Sequence, residues 1–376
     1  MENSLSLFRY ALCSMRTVAN SMPTCLFHST YQDDEKIFQT VWLKCWMGGL
    51  LLFLFAGLPF IAPALSGIFG FSVQHMANMI GIYIIGAHGL NLLTGYTGQI
   101  SLGHGAFMGV GAYTSAILFM KAGWPFWLSL PAAGVVTAGV GMFFGVPSLR
   151  LRGLYLAIAT MAAQFIIGYA MRNWTSLTGG SGGLNVDRPS FFGFTLETDV
   201  HYYYLILILA IVSTVFLKNL LRTRTGRAMV AVRDRYLSAE IMGVNLFKYR
   251  LLAFGISSFY VGVAGGLFAH YNLVVSDEHF TMWLSIQYLA MVIIGGLGHV
   301  LGGIFGTIFM VLLPEVLRIP TEILSNIYPN IFAIFGTLRE LVFGLVIILF
   351  LIFEPDGLAA RWHTIRAYWK LWPFSY

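Results

Sequence analysis

Long apolar runs separated by short polar breaks fill most of this chain. A hydrocarbon core of about 30 Å is crossed by about 20 apolar residues in helical form. Runs of that order occupy residues 46–65, 74–94, 104–120, 126–146, 154–171, 202–217, 251–271 and 334–353. Two shorter runs, 284–294 and 302–313, are broken by Gly295-Gly-Leu-Gly-His-Val-Leu-Gly-Gly303. The pattern predicts an all-α polytopic membrane protein of about ten transmembrane helices, including short ones interrupted by glycine.

One long polar island stands out among these runs. From Lys218 to Arg250 there are eight Lys/Arg against Asp234 and Glu240, a density that cannot lie in hydrocarbon. The segment 222–250 is therefore predicted to be a cytoplasmic loop. It offers a short helix over 226–242, with Gly243 as the left-handed residue that closes it. With ten crossings and both ends inside, 17 of the 22 Lys/Arg fall on the cytoplasmic side and five outside, while the 16 acids divide eight and eight. That asymmetry in the basic residues alone is the positive-inside pattern, and the inverted orientation would translocate the island. Residues 1–45 read as an N-terminal cytoplasmic tail, 46–354 as the membrane domain and 355–376 as a basic cytoplasmic tail.

Composition adds little beyond this. A chain that is 57% hydrophobic and 10% charged is a membrane protein, and its net charge of +6 is explained by loop lysines and arginines without invoking nucleic acid. Cys13, Cys25 and Cys45 precede the first long run's end and show no metal-ligand spacing, so neither a metal site nor a disulfide framework is expected.

The chemistry that is missing narrows the function. Within the runs only Arg339 and Glu340 carry charge, whereas carriers driven by protons or sodium keep ionisable groups at mid-membrane. His75, His88, His104, His270 and His299 remain, and are read as hydrogen-bonded packing residues. No phosphate-binding loop, zinc-protease motif or nucleophile elbow is present, so no catalytic residue is expected and any energy must come from another subunit. The stretch from Gly95 to Gly111 carries glycine at 95, 98, 103, 105, 109 and 111. Gly105, Gly109 and Gly111 follow the spacing of closely packed helices. Gly98, Gln99, Ser101, Gly103 and His104, with Gly295 and Gly296 of the second break, are candidates for a translocation path, because unwound backbone at membrane depth is tolerated where it lines protein or water. The two breaks share Leu-Gly-His, at 102–104 and 297–299, a similarity of the kind found between transporter halves.

These residues resemble a known family. The stretches 95–113, Leu149-Arg-Leu-Arg-Gly-Leu-Tyr-Leu-Ala157, Thr178-Gly-Gly-Ser-Gly-Gly183, 226–243, 252–258, Gly262-Val-Ala-Gly-Gly-Leu267 and Ile294-Gly-Gly-Leu-Gly298 follow, in this order, the LivM-type permeases of branched-chain amino-acid ABC importers. The resemblance covers about residues 70–355. It implies a multi-pass protein of the bacterial inner membrane that pairs with a second homologous permease, binds two cytoplasmic ATPase subunits and receives substrate from a periplasmic binding protein. ATP would be used by the partner subunits, with no cofactor in this chain. The resemblance also implies that residues 233–243 couple to the ATPase. That segment reads Ser238-Ala-Glu-Ile-Met-Gly243 after Arg233, Asp234 and Arg235, with Ala239, Glu240 and Gly243 in the positions of the coupling loop. The same architecture could import urea, short amides or aromatic acids. An intramembrane lipid enzyme would need a nucleophile or metal cluster that the runs lack, and a passive channel would leave the island as an ordinary solvated loop.

Overall fold

The computed structural model describes residues 48–49, 53–69, 72–148, 153–191, 194–195, 198–325, 331–354 and 356–371. The chain divides into two compact units, Met1–Gly70 with Arg361–Tyr376, and Phe71–Ala360. In the first, a π-helical turn at Phe53–Gly57 leads into α1, Leu58–Phe69, which holds Pro63 in its interior. The expected N-terminal tail, all three cysteines and the start of the first run lie outside the described residues.

In the second unit each of the remaining apolar runs is a helix. They are α2 (Val73–Leu90, extended by a π-helical turn at Asn91–Tyr96), α3 (His104–Met120), α4 (Phe126–Ser148) and α5 (Leu154–Asn173). A single turn, α6 (Thr175–Thr178), precedes α7 (Asp199–Arg222), and the island carries α8 (Arg224–Asp234) and α9 (Tyr236–Ile241). Then follow α10 (Leu246–Asn272), α11 (Met282–Gly295), α12 (Val300–Ser325), α13 (Ile331–Phe353) and the start of α14 (Gly357–Leu371), which belongs to this unit as far as Ala360. Five of these segments are long and apolar enough to cross a bilayer by themselves, those beginning at Val73, Phe126, Asp199, Leu246 and Val300. The fold is polytopic and all-α. Its strands among the described residues are two-residue pieces, β1 (Leu184–Asn185) with β4 (Val274–Val275) and β2 (Ser190–Phe191) with β3 (Phe194–Thr195), both antiparallel.

Three boundaries differ from the sequence reading. The run ending at Leu313 continues as helix to Ser325, through Pro314, because a proline inside a membrane helix is tolerated where neighbouring groups satisfy the freed carbonyl. The single helix expected over 226–242 is two helices, with Arg235 extended between them at φ −148°, ψ 84°. A straight helix of that length would run about 25 Å; the break lets α8 pack on the π-helical turn and α10 while α9 packs on α10. The expected C-terminal tail begins as the helix α14.

Packing centres on α10, which lies against α2, α3 and α4. Glycine makes these contacts close. A Cβ on Gly111 would overlap the carbonyl of Gly262, and one on Gly265 would overlap the carbonyl of Met108, so α3 and α10 meet backbone to backbone. Gly105 and Gly109 serve the same purpose, against Thr281 and Ser285 and against Met171 and Phe280. In a bilayer no hydrophobic force drives helices together, and close approach through small residues supplies the dispersion that does.

The connections gather at two ends of this unit. At one, Lys121 Nζ donates to the carbonyls of Ser176 (2.7 Å) and Leu177 (3.0 Å), Arg172 pairs with Asp277 at 2.7 Å, and β1 joins β4. At the other, the π-helical turn after α2, the α11–α12 break, the island and the start of α14 come together.

Candidate functional site

The island is held by two side-chain caps. Thr223 Oγ1 accepts from the Gly226 amide (3.3 Å) at the start of α8, and Asn245 Oδ1 accepts from the Lys248 amide (3.0 Å) at the start of α10. Between them α9 ends as the glycine predicts: the Gly243 amide donates to the Glu240 carbonyl at 2.9 Å, the Val244 amide to the Ala239 carbonyl at 2.9 Å, and Gly243 stands at φ +85°. A Cβ there would touch nothing, so the demand for glycine is conformational and not steric.

The six candidate coupling residues do not share one face. Asp234, Arg235 and Glu240 are exposed, while Ala239 is buried in the chain's own fold, with Met229 and Val232 of α8. Arg233 is exposed as well, yet its Nη1 reaches back and donates to the carbonyl of Gly95. What the sequence reading missed is apolar: Leu237, Ile241 and Met242 are 61%, 85% and 84% exposed. The signal was present in the spacing, since 237 and 241 are one helical turn apart on a strongly charged segment and leave an apolar stripe with nothing beneath it.

The candidate path residues separate into two groups. Gly98 is exposed and adopts φ +68°; the amide of Gln99 donates to the Leu93 carbonyl at 3.0 Å, and its buried side chain donates to Thr97 Oγ1 (3.1 Å) and to the Arg250 carbonyl (3.4 Å). Across from it the second break closes on the first. Asn91, fully buried, donates from Nδ2 to the His299 carbonyl at 2.7 Å and accepts from the Gly298 amide at 3.0 Å. Gly296 lies beneath α14, where a Cβ would stand 2.8 Å from the Asp356 carbonyl, and Gly295 is closed off by the Gly302 carbonyl of α12.

Ser101, Gly103 and His104 belong instead to the buried start of α3. That start leaves backbone amides unpaired within the helix, and neighbouring helices, with Ser101 of the break itself, supply acceptors. Thr160 Oγ1 accepts from Leu102 (2.9 Å), Ser101 Oγ from Gly103 (3.4 Å), Ser285 Oγ from Gly105 (2.7 Å) and Gln164 Oε1 from Ala106 (2.7 Å). Gln164 Nε2 in turn donates to the Phe280 carbonyl at 2.7 Å. His104 Nε2 lies 3.1 Å from the Gly86 carbonyl, its ring edge to face with that of Tyr288. The buried His88 and His270 are likewise partnered, by Thr214 (2.8 Å) and Ser115 (3.0 Å), and the exposed His75 by Tyr271 (2.8 Å). The two Leu-Gly-His stretches occupy comparable places, each in a break immediately before a helix.

Comparison with known proteins gives the family. Residues 72–351 match the family described as branched-chain amino acid transport system / permease component. The high-affinity branched-chain amino acid transport system permease proteins LivM of Salmonella typhimurium and of Escherichia coli K12 are each 34% identical over 307 residues, covering 75% of this chain and 69% of theirs. The corresponding permease protein LivH of Escherichia coli K12 is 23% identical over 315 residues, 78% of this chain and 97% of its own. No solved structure matches the chain.

Proposed function

Because this chain belongs to the family of permease components of branched-chain amino acid transport systems, we propose that it is one of two membrane subunits of an ATP-driven importer. In this reading it pairs with a second permease of the LivH kind, takes branched-chain amino acids from a binding protein and assembles with two ATPase subunits, making its own contact with them through the island. The observation that carries the docking is the stripe of Leu237, Ile241 and Met242, exposed at the end of the bundle where the basic loops gather. Large apolar side chains are left in water at such exposure mainly where a partner covers them. Asp234, Arg235 and Glu240 form the charged rim that such an interface uses for orientation. The energy source lies in the partners, since this sequence carries no phosphate-binding loop.

The test is uptake into vesicles containing the assembled complex with its binding protein. ATP-dependent entry of radiolabelled leucine, displaced by isoleucine and valine and not by urea or acetamide, is the expected result. Entry of urea or a short amide that leucine leaves unaffected would move the substrate to the alternative class, and ATP turnover by this chain stripped of partners would refute the division of labour.

We infer an inner-membrane location with both termini in the cytoplasm, supported by the excess of Lys/Arg on the island's side. A cysteine placed at Ser190, in the loop with β2, is expected to react with an impermeant thiol reagent added outside intact cells, whereas Cys13, Cys25 and Cys45 stay unlabelled. The reverse pattern would invert the topology.

A further inference from the structure

The break after α2 ends in carbonyls that no helical turn follows, and such a terminus carries partial negative charge. Arg233, the next-to-last residue of α8, brings its guanidinium to the Gly95 carbonyl there. Its path is shaped by two glycines. A Cβ on Gly98 would touch Arg233 Cγ at 3.5 Å, and one on Gly298 would stand 2.7 Å from Nη1, closer than a real side chain permits. Asn91 joins the two breaks into one unit, through the His299 carbonyl at 2.7 Å and the Gly298 amide at 3.0 Å. That unit is also gripped from α14, because a Cβ on Gly357 would stand 2.5 Å from Gly296. The island therefore touches both glycine breaks through one arginine, from the helix next to α9.

From this geometry we propose that Arg233 is a positioning residue, a latch that carries movement of the island into the two glycine breaks of the membrane domain. Arginine suits the task because its planar fork can hold a carbonyl while its stem lies along a glycine surface. When α8 and α9 shift together, the guanidinium pulls the end of α2 and, through Asn91, the turn before α12. The existence of the latch stands on the contacts alone; its role in transmission rests on the importer reading above.

Two measurements on Arg233→Gln separate these. The first is hydrogen exchange of the purified chain in nanodiscs. Peptides covering 95–99 and 296–299 are expected to exchange about tenfold faster than in wild type while α3 and α10 are unchanged, and Arg224→Gln, which removes the same charge at the far end of α8, should leave them as in wild type. Unchanged exchange at both breaks would overturn the latch. The second is the ratio of leucine taken up to ATP hydrolysed by the assembled complex, expected to fall about fivefold or more with subunit stoichiometry and ATP turnover retained. Faster exchange with an unaltered ratio would overturn transmission through Arg233. A wild-type complex that imports no leucine would fail the importer reading, and the exchange result would still decide the latch.

Discussion

Replacing Gly111 with valine is expected to cost the membrane domain roughly 3 kcal/mol or more and to keep most of the protein from accumulating in folded form. The added Cβ overlaps the carbonyl and Cα of Gly262 on α10, both backbone atoms that no rotamer change can move aside. The two helices must separate. Neighbouring contacts then fail together, because Gly262 is itself pressed against Thr137 of α4 and Gly265 against Met108 of α3. Packing density falls along the whole seam, and in lipid no hydrophobic term compensates the lost dispersion. Gly139 provides the matched control: it is exposed on α4, and a Cβ there meets nothing within 4 Å. Gly139→Val should stay within about 0.5 kcal/mol of wild type. Thermal stability of the detergent-solubilised chain, followed by size-exclusion chromatography after heating, reads both. A Gly111→Val protein as stable as Gly139→Val would show that α3 and α10 do not meet through this glycine.

How much of this was legible in the sequence depends on whether the cause was local. Apolar runs were readable because the bilayer imposes length and hydrophobicity on each crossing separately, and Gly243 was readable because a helix end needs a left-handed residue at that position whatever surrounds it. The spacing of Gly105, Gly109 and Gly111 also announced close packing correctly. The break at Arg235 was not readable, since nothing between Gly226 and Met242 opposes a helix; it is imposed by the two surfaces on which α8 and α9 pack. Continuation of α12 past Pro314 is equally a property of neighbours. Most hidden was the meeting of the two glycine breaks. Asn91 and Gly298 are 207 positions apart, and their hydrogen bond follows only from α2, α11 and α12 being brought side by side. Arg233 illustrates the limit well. Its charge placed it among contacts for a partner, and nothing in the sequence signals that the same exposed side chain also reaches Gly95.

The second large effect concerns the stripe on α9. On the importer reading, Ile241→Asp combined with Met242→Asp is expected to weaken ATPase binding at least a hundredfold and to abolish uptake. Fully burying one such side chain contributes about 1.5–3 kcal/mol, and well-packed anchors at interface centres often cost 2 kcal/mol or more when removed. Two introduced carboxylates add the penalty of desolvating charge. The fold of this chain should not suffer, because both positions are more than four-fifths exposed and support nothing within it. Gly243→Val probes the same element differently. With open space around it, valine there costs about 1–2 kcal/mol in backbone strain alone, and relief of that strain re-aims the end of α9 without deleting its apolar contacts. The complex should then assemble yet hydrolyse ATP with reduced uptake. Co-purification of the ATPase subunits, paired with leucine uptake in vesicles, distinguishes the two variants: loss of assembly for the double aspartate, loss of coupling for the valine. Full assembly and uptake in the double aspartate variant would remove the stripe from the docking surface, and with it the observation that places the ATPase on this island.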